Sequence, residues 1–351
     1  MSDYIKALEK QIILESPLYK DYEIDTVFIG GGTPSLIESN DFISLACTLK
    51  KHLNLTQGLE FTIEANPGTI TKEKLLAYKQ AGVNRLSIGL QSTNDRELKE
   101  LGRIHTLSEF KDGYKLARDC GFDNISIDIM YSLPSQTIDI FEKTLSEVIG
   151  FLPEHISSYS LKIEKGTPFG KIKDSLNIPS EDDEYDMYMA MCQTLEKHGY
   201  NQYEISNFSK AGYESRHNLK YWLSEEYIGF GPSAHSYFNG KRYYYEKCLD
   251  SYIKKINSGS LPEKIEEEKD KNASAQISNI DEYLMLRLRL SRGVDENDVK
   301  EKFAIDLLTK YPRILDFLKS GYMKKEGSAY SFTAKGFFVS NFILTEILSF
   351  E

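Results

Sequence analysis

The sequence is poor in the features that betray a metal cluster, a disulfide scaffold or a membrane anchor. It holds four cysteines in 351 residues, Cys47, Cys120, Cys192 and Cys248, and no two of them approach a C-x2-C spacing. That scatter argues against a zinc or iron–sulfur site built from this chain's own thiols and against a disulfide framework. The thiols read as reduced and mostly buried. No apolar run nears the 18 or so residues that span a bilayer. The opening Met1-Ser2-Asp3-Tyr4-Ile5-Lys6 has no basic segment followed by an apolar one, so no secretory signal is expected and a cytoplasmic location is. Positive charge is also short: 43 Lys and Arg face 53 Asp and Glu, a net charge of −10. Bulk electrostatic binding of nucleic acid is disfavoured, and no nucleic-acid partner is expected. Repeats and low-complexity tracts are absent.

What is present is a core-forming composition, 40% hydrophobic and 27% charged, with length for about two domains. Through residue 165, short apolar strands alternate with amphipathic stretches. Strands are expected at 24–29, 59–64, 85–90, 125–129 and 156–161. A helix over 71–80 has Thr71 as its cap and Gly82 as its stop, and another over 108–120 has Ser108 as its cap. Strands separated by helices mean parallel βαβ units. Spacing alone allows an open sheet or a barrel. Polar residues at successive strand ends tip the choice to a partial β/α barrel, because a curled sheet gathers them at one mouth. Four regions are expected: a barrel core over 1–173, an associated helical and aromatic segment over 174–260, a charged linker over 261–277, and a small domain over 278–351. In the last, helices at 281–290, 296–303 and 305–320 precede a hairpin around Gly327 and a final helix over 333–348. That order is winged-helix-like α+β.

Chemistry is sought at the strand ends. Gly30-Gly31-Gly32-Thr33-Pro34-Ser35 follows the first strand. It is neither a dinucleotide nor a P-loop fingerprint. A cradle for an anion or carboxylate and a tight strand-to-helix turn are equally good readings of the glycines. Glu64 ends the second strand with Pro67 behind it, Gln91 ends the third, Arg103 and His105 share a loop, and Asp128 interrupts an apolar strand. Each alone more often means structure. Together, at consecutive strand ends, they point to a binding mouth. His217-Asn218-Leu219-Lys220-Tyr221-Trp222 holds the only tryptophan. Imidazole and large rings so close suit a flat aromatic or metal-centred ligand, although on spacing alone a capping role is the better reading.

The ordered string of these motifs, with Leu101–Thr106, Asp128–Pro134 and Tyr227–His235, resembles the radical S-adenosylmethionine proteins of the oxygen-independent coproporphyrinogen III oxidase type. The His-Asn-x-x-Tyr-Trp element is similar to the HemW branch, proposed haem chaperones. The resemblance covers essentially the whole chain. It implies a partial (β/α)6 barrel lacking its first strand, followed by the small C-terminal domain. It implies S-adenosylmethionine as cofactor, with Gly31, Gly32 and Thr33 at its aminoacyl end and Glu64, Gln91, Arg103 and Asp128 as further contacts. His217 becomes a candidate haem contact. Haem or a porphyrinogen is the implied partner, with haem-accepting proteins beyond it. The other function it implies is coproporphyrinogen dehydrogenation in porphyrin biosynthesis. Catalytic residues are not assigned. The family's 4Fe-4S cluster sits on an N-terminal C-x3-C-x2-C loop, which this chain lacks, so no metal ligand is assigned. An N-terminally incomplete form, inactive in radical chemistry, is the expectation. A third, unrelated reading, a winged-helix regulator of nucleic acid, is disfavoured by the charge and the barrel.

Overall fold

The computed structural model describes residues 1–266 and 279–348. The molecule divides into two compact units. Among the described residues, the first comprises 1–88, 111–124 and 215–266, and the second 89–110, 125–214 and 279–348.

In the first unit, helix α1 (Ser2–Glu15) precedes strand β1 (Ile24–Ile29), followed by α2 (Ser39–His52), β2 (Leu55–Ala65), α3 (Lys72–Ala81) and β3 (Arg85–Gln91), whose last three residues lie in the second unit. β1 and β2 pair in parallel, as do β2 and β3. Thr71 caps α3 by accepting the Lys74 N–H, and Gly82 ends it in the left-handed region at φ 94°. Later in the chain, α9 (Arg216–Trp222), β8 (His235–Phe238), β9 (Lys241–Tyr245), α10 (Leu249–Asn257) and β10 (Lys264–Glu266) belong to the same unit. β8, β9 and β10 form an antiparallel sheet. Helix α1 is fixed to that sheet by a buried polar cluster. Glu15 is fully buried, accepts hydrogen bonds from Tyr245 (2.5 Å), Gln11 (2.8 Å) and Tyr19 (3.1 Å), and pairs with Lys264 at 3.0 Å. Four partners satisfy a carboxylate that would otherwise be costly to bury.

The second unit holds α4 (Asp95–Glu100), the first turn of α5 (Leu107–Asp119), β4 (Ile125–Tyr131), α6 (Ile138–Gly150), β5 (His155–Ser160), α7 (Pro168–Lys171), α8 (Glu181–Lys197), β6 (Asn201–Glu204) and β7 (Asn207–Ser209). β4 and β5 are parallel, whereas β7 pairs antiparallel with β5 and with β6. The main sheet runs β1-β2-β3-β4-β5-β7-β6. It is the partial β/α barrel that the strand-end polar residues suggested, ended by two short antiparallel strands that sequence pattern did not reveal. Helix α5 is capped by Thr106, not Ser108: Thr106 Oγ1 accepts the Glu109 N–H at 3.3 Å and Glu109 returns a bond to the Thr106 N–H at 2.7 Å. A Thr-x-x-Glu box satisfies two end groups at once, which a lone Ser108 does not.

The C-terminal segment contains α11 (Asn279–Arg287), β11 (Val294–Asp295), α12 (Glu296–Phe303), α13 (Leu307–Lys310), α14 (Ile314–Lys319), β12 (Met323–Glu326), β13 (Ala329–Phe332), α15 (Ala334–Phe338) and α16 (Ser340–Leu348). The sheet β11-β13-β12 completes a winged-helix-like arrangement, with Gly327 at φ 61° in the hairpin. The single helix expected over 305–320 is two, because Pro312 excludes helical backbone from Tyr311 (φ −123°, ψ 65°). The final helix is also broken, at Val339 (φ −103°, ψ 22°). From residue 267, the charged linker lies outside the described residues.

Candidate functional site

The glycine turn after β1 is built by close approach and stapled in place. A Cβ on Gly30 would meet the Phe28 ring at 2.6 Å and Glu64 Oε1 at 3.0 Å, so only glycine brings the two strand ends this near. Gly31 and Gly32 take left-handed backbone, φ 84° and 60°, and their outer sides are open. Gly31 donates its N–H to Glu64 Oε2 at 3.1 Å. Ser35 is buried and accepts the Asn66 N–H at 3.1 Å and the Thr69 hydroxyl at 2.5 Å, while Asn66 Nδ2 donates to Thr33 Oγ1 at 3.3 Å. Hydrogen bonds thus tie Gly31 to Glu64 and Thr33 to Asn66, holding the turn against the end of β2. Backbone N–H donors beside a carboxylate suit a zwitterionic amino acid end, whose carboxylate needs donors and whose ammonium needs an acceptor.

In the second unit, Gln91 closes β3 with φ 71°, a conformation that a non-glycine residue adopts only where its surroundings hold it. The next residue, Ser92, donates to buried Glu97, which also accepts from Gln136 at 3.2 Å. Burial raises the Glu97 carboxyl against the pull of those hydrogen bonds. Burial also lowers the Arg103 guanidinium, and the charge of Asp128 opposes that shift. His105 is buried, with Nε2 against the Leu90 carbonyl at 3.2 Å. It is a structural histidine.

His217 sits in the first unit, on α9. Glu60 of β2 orients that helix by accepting the Arg216 N–H at 2.9 Å and the His217 N–H at 3.0 Å. An anionic acceptor at two unpaired end groups is well placed against the helix dipole. Nδ1 of His217 lies 2.9 Å from Thr26 Oγ1, and Nε2 lies 2.9 Å from the Tyr221 hydroxyl. Its ring stacks on Phe28 at 5.1 Å and 18°. Burial, with Lys220 and Arg85, drives its pKa down to about 4, against the opposing charge of Asp25. The imidazole is neutral at physiological pH.

A cavity of about 450 Å³ opens beside β1. Its walls carry Phe28, His217, Tyr221, Tyr227, Phe230 and Phe238, and the same cavity reaches Gly31 and Glu64. Tyr221 meets Tyr227 edge-on at 4.5 Å, and Tyr19 and Tyr22 meet Phe238 at 5.3 and 5.1 Å. The structure thus joins His217 to the glycine turn and Glu64, a connection the sequence did not reveal. Thr26, which meets the His217 ring, and Glu60, which holds its backbone, do not stand out in the sequence, because β1 also carries Asp25 and β2 also carries Thr56, Gln57, Thr62 and Glu64.

Two sequence profiles match the chain: the radical SAM superfamily over residues 6–148 and the HemN C-terminal domain over residues 276–339. The Heme chaperone HemW of Bacillus subtilis is 36% identical over 345 residues, 97% of this chain and 90% of that protein. The Lactococcus lactis protein of the same name is 33% identical, covering 98% and 90%. The chain belongs to the HemW family of radical SAM proteins. Its fold matches that of Escherichia coli coproporphyrinogen III oxidase HemN with a TM-score of 0.81 at 20% identity, over 99% of this chain and 83% of that one. Membership of the HemW family implies S-adenosylmethionine and a 4Fe-4S cluster. The glycine turn and Glu64 fit the first. The second does not fit the described residues: none of them form a group of three His, Cys, Asp or Glu side chains able to hold a metal. The expectation of mostly buried thiols does not hold: Cys47 on α2 and Cys248 before α10 are exposed, Cys120 after α5 is half-buried, and only Cys192 on α8 is buried, where burial pushes its thiol up to about 12. No described helix is long and apolar enough to cross a membrane.

Proposed function

We propose that this chain is a haem chaperone that takes haem into the aromatic cavity beside β1 and binds S-adenosylmethionine through the strand-end residues. The observation that carries the haem reading is the cavity itself. It falls within the volume range of cofactor pockets, is walled by aromatic rings and presents a neutral imidazole. HemW relatives over nearly the whole chain support it. His217 contacts the macrocycle. Its Nε2 is available to iron once the Tyr221 hydroxyl turns away, and Thr26 holds the other nitrogen.

For the cofactor, Gly31, Gly32, Thr33 and Glu64 take the aminoacyl end. Asp128 accepts from the ribose hydroxyls, and Gln91 and Arg103 contribute further polar contacts. S-adenosylmethionine supplies a sulfonium activated toward cleavage; the residues named here bind and orient it. No step is derived through an iron–sulfur cluster. Haem-accepting proteins are the partners to which the haem is delivered, and the protein works in the cytoplasm.

The test is a haem titration of the full chain followed by Soret absorbance, run beside an assay of coproporphyrinogen III conversion. Saturable binding of one haem with a shifted Soret band, and no conversion, is expected. Conversion of the porphyrinogen, or no saturable binding, overturns the reading.

A further inference from the structure

A buried hydrogen-bonded chain in the second unit leads to Asp128, and the reading of Asp128 as a cofactor contact leaves that chain unused. Ser126 and Asp128 are two residues apart on β4, so their side chains leave the same face. Ser126 Oγ is 3.1 Å from Asp128 Oδ1. Parallel pairing sets Ser126 opposite His155 on β5, and Ser126 Oγ lies 2.8 Å from His155 Nδ1. On the other side of the ring, Nε2 lies 2.8 Å from the Tyr203 hydroxyl on β6. Ser126 and His155 are fully buried. Four groups are thus linked in a line.

Counting protons gives the line a direction. An ionised Asp128 only accepts, and the Ser126 hydroxyl has one proton to give. If that proton goes to Asp128, Ser126 Oγ must accept from His155, so the ring carries its proton on Nδ1. Nε2 is then the acceptor, and it takes the Tyr203 hydroxyl proton. Every donor points toward the carboxylate, and each bond polarises the next. The opposite arrangement, with Nε2–H donating to Tyr203, turns the Ser126 proton toward His155 and deprives Asp128 of it. Ser157 Oγ, 3.3 Å from Ser126 Oγ, is a neutral neighbour.

Other charges face the same groups. Arg103 interacts with Asp128, and Tyr159 on β5 is held protonated by burial together with the charges of Asp128 and Glu204. Glu204 in turn opposes the burial-driven lowering of Arg289. The far end of the line is anchored by backbone: the Tyr203 carbonyl accepts from the Ser291 N–H at 3.0 Å and from its hydroxyl at 3.2 Å.

We propose that His155, held as its Nδ1–H tautomer by Tyr203, is a positioning residue that acts through Ser126 to keep Asp128 ionised and turned to accept hydroxyl groups of a nucleoside ligand. The ligand part rests on the assignment of Asp128 to the cofactor site.

The experiment uses the full chain labelled with 15N-histidine and 13C-aspartate. Histidine nitrogen shifts should show His155 neutral and Nδ1-protonated across about pH 5.5 to 8.5, a range that straddles the ordinary histidine pKa. Tyr203→Phe removes one hydroxyl at constant shape and should give a tautomer mixture. Tyr203→Phe and Ser126→Ala should both raise the Asp128 titration midpoint. S-adenosylmethionine binding should weaken about tenfold, as for loss of one hydrogen bond to a charged group. His155→Asn, which keeps an N–H toward Ser126, should restore the midpoint that His155→Leu shifts. The unmutated chain and Tyr203→Phe decide the matter even if the leucine variant fails to fold. An Nε2–H or doubly protonated His155 in the unmutated chain overturns the proposal. So does an Asp128 midpoint that neither Tyr203→Phe nor Ser126→Ala moves. If the unmutated chain binds no S-adenosylmethionine, the cofactor assignment falls, while the tautomer and the carboxyl titration still decide the line itself.

Discussion

At the scale of single residues, His217 and Gly31 have different physical jobs. The ordinary imidazole pKa of 6.5 falls to about 4 in the fold because burial penalises the cation. The unfolded chain therefore binds a proton that the folded chain refuses. His217 contributes stability in full above pH 6.5 and loses it as pH falls toward 4. In His217→Phe, which keeps the stack on Phe28, urea midpoints should decline less between about pH 7 and about pH 5 than in the unmutated chain. Equal declines would show that His217 does not titrate abnormally. Gly31 is constrained by backbone sign. Gly31→Val puts a β-branched residue at φ 84°. The turn should shift by flipping out of that region, lifting the N–H from Glu64 and weakening S-adenosylmethionine binding by about tenfold or more, as for a lost charge-assisted bond. Calorimetric titration measures it, and unchanged affinity would remove the turn from the site.

At the scale of elements, the glycine turn, the caps of α3 and the polar strand ends were legible because each is a local pattern with one cause. Ser126, His155 and Tyr203 were not. They come from three strands, and only the parallel register of β4 and β5 sets Ser126 opposite His155. The antiparallel pair β6 and β7 was missed because four and three residues are too short to show alternation. The sequence points to Ser108 as the cap of α5, whereas the reciprocal bonds between Thr106 and Glu109 put the cap two residues earlier. Helix α9 shows the same limit: its seven residues are fixed by Glu60, which is far away in sequence and near only through β2. Glu60 is 7% exposed, so Glu60→Ala leaves two helix N–H groups without their acceptor. A loss of about 2 kcal/mol in unfolding free energy is expected. Haem binding should weaken too, because His217 rides on α9. Chemical denaturation checks the first and Soret titration the second. Full stability in Glu60→Ala would mean that Ser215 alone, which accepts the Asn218 N–H at 3.3 Å, anchors the helix.

At the scale of the whole molecule, the radical SAM fold is present while the described residues offer no three-thiolate set for a cluster. Anaerobic reconstitution of this chain with iron and sulfide should give no stoichiometric 4Fe-4S absorbance, and dithionite should release no 5′-deoxyadenosine from S-adenosylmethionine. Stoichiometric cluster and turnover would show that scattered cysteines suffice.

The central claim is that haem lies in the cavity beside β1, and hydrogen–deuterium exchange with and without one equivalent of haem tests it most directly. Slowed exchange is expected in β1 and in residues 216–238, which contribute the Phe28, His217, Tyr221, Tyr227, Phe230 and Phe238 walls, with residues 279–348 unchanged. Protection confined to residues 279–348, with β1 and α9 exchanging as before, would contradict the account.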